Sequence, residues 1–270
     1  MKAVRFTRRG RAPAAAGTPA LWGVVGALLG GMLTLVLCAP AHWLALGLER
    51  ATAGQLQLRE ARGTVWTGSA RLVLSGGAGS RDPLALPSRV QWQLRPAWRG
   101  MRLQLETACC TPQPLQARLL LHWQGVEAQV QDQQSEWPAG LLTGLGTPWN
   151  TAQIQGQLLL RTQGLRLEWI AGRLRSEGQV QLDALGVSSR LSTLRPMGSY
   201  RLVFAGGDTP QLTLSTLEGH LQLSGTGQWV GQRLRFNGEA TATPEREAAL
   251  ANFLNIIGRR SGARSIISLG

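Results

Sequence analysis

Histidine is scarce in this chain, and its scarcity argues against most acid–base and metal chemistry. His42, His122 and His220 are the only three among 270 residues. Their spacing forms no H-E-x-x-H, and no Cys-x-x-Cys, Walker loop or G-x-S-x-G occurs either. His122, in Leu121-His122-Trp123, and His220 each stand alone in a strand-like pattern, where a structural role is expected. The 15 carboxylates stand singly, and spacing alone leaves a glycosidase-like pair open. The expectation is a protein with no catalytic residue, cofactor, metal or small-molecule substrate.

Lysine is almost absent as well. Lys2 is the only one, and acids are missing before Glu49. Five cations (Lys2, Arg5, Arg8, Arg9, Arg11) crowd the start, and the net charge is +13. From Glu49 onward, 23 arginines face 15 acids, which leaves +8. These arginines lie singly between apolar residues, as in Arg233-Leu234-Arg235-Phe236. A nucleic-acid surface needs a clustered patch, so no nucleic-acid partner is expected.

What is present begins with a charge-free run from Ala12 to Leu48. Its apolar part, residues 21–41, has the ~20 residues that cross ~30 Å of hydrocarbon as a helix. Trp22 and Trp43 flank it at headgroup level, and the basic tail, residues 1–20, stays cytoplasmic by the positive-inside rule. Ala39-Pro40-Ala41 offers a rival reading as a signal-peptide cleavage site, although the apolar run exceeds a usual h-region. Cys38 offers another, as a lipid attachment point, with Leu37 where a small residue is expected. The reading adopted is an uncleaved single-pass anchor in the lipid bilayer, with residues 49–270 on the far side. Gly26 and Gly30 fit the small-xxx-small pattern of close helix contact in a membrane.

Beyond Glu49 the dominant signal is alternation with period two. Ala70, Leu72 and Leu74 alternate with Arg71, Val73 and Ser75, and Val90, Trp92 and Leu94 with polar neighbours. The pattern recurs at 101–106, 164–170, 178–185, 209–225 and 232–242. It predicts half-buried strands in an antiparallel meander. Gly76-Gly77, Pro96, Gly100, Gly125, Gly172 and Gly206-Gly207 supply its turns. One amphipathic helix is expected over 244–258. Thr243 is its N-cap, Pro244 opens its first turn, Leu250, Phe253, Leu254 and Ile257 form its stripe, and Gly258 is its C′ stop. A short strand is expected over 265–269. Residues 131–152 have little periodicity and read as a long loop or a joint between two halves of the sheet.

Two local features stand out. In Gly63-Thr64-Val65-Trp66-Thr67-Gly68 the glycines allow close backbone approach around one aromatic. Trp66 reads either as core or as a partner-binding residue. Cys109 and Cys110 are neighbours in a compartment that favours oxidation. A vicinal disulfide, a pair of structural thiols, and bonding to Cys38 or another chain all stay open.

With these pieces placed, the chain resembles the type II secretion system protein N family, GspN. The resemblance rests on the basic tail and anchor, on Gly63 to Gly68, on Gly198-Ser199-Tyr200-Arg201 and on Leu217-Glu218-Gly219. It continues from Trp229 through Arg235-Phe236-Asn237-Gly238 and Pro244-Glu245 to the Ile256-Ile257-Gly258-Arg259-Arg260 helix end. It implies a mainly β periplasmic domain behind a single transmembrane helix. It also implies a non-catalytic scaffold in the inner membrane, partnered by other inner-membrane secretion components. The family is similar in turn to AsmA-like proteins with curved sheets. That relation implies an alternative, a periplasmic carrier of lipid or other apolar cargo in a β-groove.

Overall fold

The computed structural model describes residues 18–77, 83–147, 149–170, 172–231 and 233–270. The chain divides into two units, Met1–Ala39 and Pro40–Gly270. In the first, α1 (Thr18–Leu37) is apolar all round. The expected cytoplasmic tail lies, from residue 1 to 17, outside the described residues. The expected span over 21–41 is interrupted. The helix ends at Leu37, and Pro40 takes an extended conformation with φ −72° and ψ 146°. A proline donates no N–H to a continuing helix, so a separate one starts after it. Among the described residues no helix is long and apolar enough to cross a membrane.

The second unit opens with α2 (Ala41–Ala51), followed by β1 (Leu56–Gly63), β2 (Thr67–Leu74), β3 (Leu84–Ala85), β4 (Val90–Ala97) and β5 (Gly100–Thr107). Next come β6 (Leu115–His122), β7 (Gly125–Val130), β8 (Gln133–Pro138), a 3-10 turn over Ala139–Leu145, α3 (Trp149–Ala152), β9 (Gln155–Ile170) and β10 (Arg173–Ser188). The chain ends with β11 (Gly198–Ala205), β12 (Gln211–Gly219), β13 (Leu221–Val230), β14 (Arg233–Ala242), α4 (Glu247–Ile257), β15 (Arg259–Ser261) and β16 (Arg264–Leu269). The described strands form one antiparallel sheet of 16, in nearly sequential order. β3 adds to β2, and β8 takes the lower half of β9. The meander expected from the alternation is therefore the fold.

Several boundaries differ from the sequence reading. Gly164 and Gly178, where the periodic runs start, do not begin strands. Both adopt positive φ inside β9 and β10, and the register slips between Glu177 and Gln179. Only glycine takes that backbone without strain, so each long strand bends there and continues. Pro96 lies inside β4, one residue from its end, where a missing N–H is tolerated. Residues 209–225 split into β12 and β13 around Gly219-His220. Residues 131–152 are not a long loop, since β8 pairs with β9 in the one sheet and a 3-10 turn and α3 follow it. Ser135 of β8 is buried, and Ala139 and Leu141 of the following turn sink into the interior.

The C-terminal helix is present but begins differently. Thr243 makes no side-chain cap, and Pro244–Arg246 forms a 3-10 turn before α4. Gly258 is not a left-handed stop, since its φ is −169°. Its hydrogen is needed for another reason. A Cβ there would lie 2.4 Å from the Ile266 carbonyl oxygen, so Gly258 lets the helix end abut β16. Leu250, Phe253 and Leu254 are buried as the stripe requires. They join Met197, Tyr200, Leu221 and Ala240 in the largest core cluster.

Candidate functional site

Antiparallel register sorts the side chains onto two faces, because directly opposed residues point the same way. Trp92, Leu105 and Leu115 oppose one another across β4, β5 and β6, as do Leu94, Leu103 and Ala117. Met101, Leu119, Ala128 and Leu167 extend the same face across β5, β6, β7 and β9. The opposite face carries Gln93, Gln104 and Gln116 in one row. One side of the meander is thus apolar from strand to strand, and it is the candidate functional surface.

Its two ends are covered. Near the start, Ala41 and Leu44 of α2 pack on Ala70, Trp92 and Leu103. Beside them Leu141 closes on Leu86, Cys110 and Leu72. At the far end α4 fills the largest cluster. Among the described residues no helix packs substantially on β5, β6 or β7; Leu103 and Leu105 still join the α2 cluster, and beyond it Leu115 and Leu119 stay half-buried. Apolar surface left in water is disfavoured by ~25 cal/mol per Å². This middle stretch is suited to a covering partner or an apolar ligand.

Trp66 lies in the turn between β1 and β2, half-buried, and its carbonyl accepts from the Leu94 N–H at 2.6 Å. The tryptophan that the motif's glycines accommodate is a different one. A Cβ at Gly68 would stand 2.5 Å from Trp92 Cζ2 and 2.7 Å from the Arg62 oxygen. The Trp92 indole, 2% exposed, donates Nε1–H to the carbonyls of Val65 at 3.1 Å and Thr64 at 3.3 Å. The Gly63–Gly68 turn therefore caps a tryptophan supplied by β4. Periodicity places Trp92 on a strand but cannot show which turn it meets.

Cys109 and Cys110 are joined as a vicinal disulfide, with Cα atoms 3.7 Å apart. Cys109 is exposed and Cys110 is buried. The Ser88 hydroxyl accepts from the Cys109 N–H at 3.1 Å, and the Glu136 N–H donates to the Cys110 carbonyl at 2.8 Å. The pair thus ties the β5–β6 connection to β8. Gly26 and Gly30 lie on α1, where a Cβ added at either meets nothing within 4 Å.

The three histidines are engaged separately. His42 packs edge-on against Trp43, and His220 Nδ1 lies 3.2 Å from Thr243 Oγ1. His122 Nε2 lies 3.0 Å from Glu127 Oε2. The Glu127 carboxyl is held below its usual range, first by the hydrogen bond from Gln129 and then by His122. Among the described residues no three potential ligands converge as a metal site.

The most organised polar group was not singled out by the sequence. Asp183 of β10 is 3% exposed and opposes Arg201 of β11. Arg201 donates to both its oxygens, at 2.7 and 2.9 Å. Gln181 donates at 2.9 Å, and Arg161 reaches it at 3.4 Å. The Arg201 hydrogen bond, chiefly, holds the Asp183 carboxyl below its usual range. Gly198-Ser199-Tyr200-Arg201 was the available signal, and its arginine is structural here. Tyr200 projects from the other face, and burial pushes its phenol up.

The family model for the type II secretion system (T2SS), protein N, matches residues 54–267. No curated protein and no solved structure matches the chain.

Proposed function

Since the chain belongs to the type II secretion system protein N family, we propose that it is an accessory, non-catalytic assembly component of that pathway. In this reading it sits at the inner membrane, with its amino terminus cytoplasmic and residues 49–270 periplasmic. The charge-free run up to Leu48 supports anchoring, as do the exposed apolar side chains of α1, Leu28 and Met32 among them. Such a helix, apolar all round, needs an apolar environment. The scaffold contacts other inner-membrane secretion components, partly through α1 and partly through the periplasmic sheet.

The observation that carries this reading is the apolar face left uncovered over β5–β7. A scaffold completes such a face with a protein partner. The same observation favours one other reading, in which lipid or another apolar molecule lies along the face and the protein is a carrier. Two measurements separate them. Replacing Gly26 and Gly30 with Leu adds bulk where close helix approach needs small residues. Under the scaffold reading the double variant stays in the membrane but co-purifies less of its secretion partners. The wild-type protein then carries no stoichiometric lipid on the sheet. Lipid retained at a constant ratio, with co-purification unaffected by the Leu pair, would move the assignment to the carrier.

A further inference from the structure

One end of the sheet exposes apolar surface that the packing does not use. Trp98 and Trp123 stand at the turns of the β4–β5 and β6–β7 hairpins, 97% and 101% exposed. Beside them Leu121, Val126, Trp169 and Leu174 oppose one another in a single row across β6, β7, β9 and β10. All four are exposed. At the same end of β11 and β13, Phe204 and Trp229 instead pack edge to face at 5.5 Å. The exposed tryptophans of this end therefore lie between β4 and β9, while Val230 and Leu269 are the exposed apolar residues at the same end of the second half.

A second, independent feature lies three residues, about 10 Å of strand, behind that row. On the opposite face Arg95 opposes Arg102, Arg102 opposes Arg118, Arg118 opposes Gln129, and Gln129 opposes Arg166. Like charges directly opposed across a sheet destabilise it. Among the described residues none of these four arginines forms an ion pair. Two acids stand on the same face between the rows, Glu127 and Glu168, and they oppose each other. Glu127 is held by Gln129 and His122, and Glu168 opposes Arg175, whose ion pair goes to Asp208. Arg166 opposes Glu177 in register without an ion pair. Arg118, Gln129 and Arg166 line a hollow of about 290 Å³.

We propose that this end of the sheet docks on an anionic phospholipid surface. Trp98, Trp123 and the apolar row enter the boundary between headgroups and acyl chains, ~5–10 Å deep. The arginine row then lies at the level of the phosphates, with long side chains that reach toward them. The order of the groups favours a membrane over a protein. Protein interfaces centre their aromatics in a desolvated patch ringed by polar residues. Here the aromatics are outermost, on protruding turns, and the cations follow behind. Indoles favour that depth in a bilayer. The inference is independent of the secretion role, because it rests on the tips and the arginines alone.

The test uses the full chain in nanodiscs, so that α1 already has lipid. An environment-sensitive dye is attached at Gln124→Cys in a Cys38→Ser background, and quencher-bearing lipid is placed in the nanodiscs and in added vesicles. With phosphatidylglycerol present, the dye should shift to the blue and be quenched by lipid, and high salt should weaken both effects. Replacing Arg102, Arg118 and Arg166 with Gln should weaken anionic-vesicle binding on the order of a hundredfold. Trp98→Ser with Trp123→Ser should abolish quenching while the thermal midpoint is kept. No lipid quenching in any composition would overturn the proposal. So would quenching equal in pure phosphatidylcholine and indifferent to the arginines. Dye protection that needs added secretion components, and occurs without lipid contact, would assign the surface to a protein instead. Loss of secretion partners through the Gly26/Gly30 variant would leave these results unchanged, so the two readings fail separately.

Discussion

At the scale of single residues, two sites carry sharp expectations. Gly68 is walled by Trp92 and by two backbone oxygens, and backbone cannot swing aside. Gly68→Ala should therefore cost about 1–3 kcal/mol, the range for overpacking, read as a shift in denaturation midpoint. Gly23→Ala, in open space, should be neutral. Asp183→Asn removes the charge and leaves a single acceptor oxygen for Arg201 and Gln181, which share Oδ2, and should cost roughly 2 kcal/mol near neutral pH. The sign of its pH dependence follows from the lowered carboxyl. The stabilisation is complete above the unfolded value of about 3.9 and fades as pH falls through the lower folded value. The gap between variant and wild type should be constant from neutral down to mildly acid pH and shrink only below about pH 4. A gap that instead opened on the alkaline side would contradict the assignment.

At the scale of elements, α4 is the clearest test of packing. Leu254 is wholly buried in the cluster built on Met197 and Leu221. Leu254→Ala should destabilise the unit by ~2–5 kcal/mol in a denaturant titration, and an unchanged midpoint would place the stripe elsewhere. The elements also show what the sequence made legible. Period-two alternation marked most of the sheet, because one side of each strand meets apolar neighbours and the other meets water. β8 was hidden, since Pro138 ends it, Gly140 follows soon after, and six residues are too few for a pattern. The runs inside β9 and β10 seemed to begin at Gly164 and Gly178 because a positive-φ glycine reads alike in a bulge and in a turn. The apolar face itself was legible. Its cover by the α4 stripe was legible too, but α2 and the 139–145 turn were not, because they reach the face through tertiary contacts.

At the scale of the whole molecule, the sheet avoids open-ended pairing at its last edge. β15 has three residues, two of them arginine, and short charged edges resist further strand addition. Partners are accordingly expected on the apolar face over β5–β7 rather than by strand addition at β15. A periplasm-dependent reporter fused after Gly270 should be active if the amino terminus is cytoplasmic, and an inactive reporter would refute that topology. The most direct test of the central claim is photocrosslinking in secreting cells, with a photoreactive residue placed in turn at Leu115, Ala117 and Leu119. Positions Gln104 and Gln116 on the opposite face serve as controls. The account predicts that the first three capture identified inner-membrane components of the type II secretion machine and that the two glutamine positions do not. Capture only from Gln104 and Gln116, or capture of lipid alone from the apolar face, would contradict it.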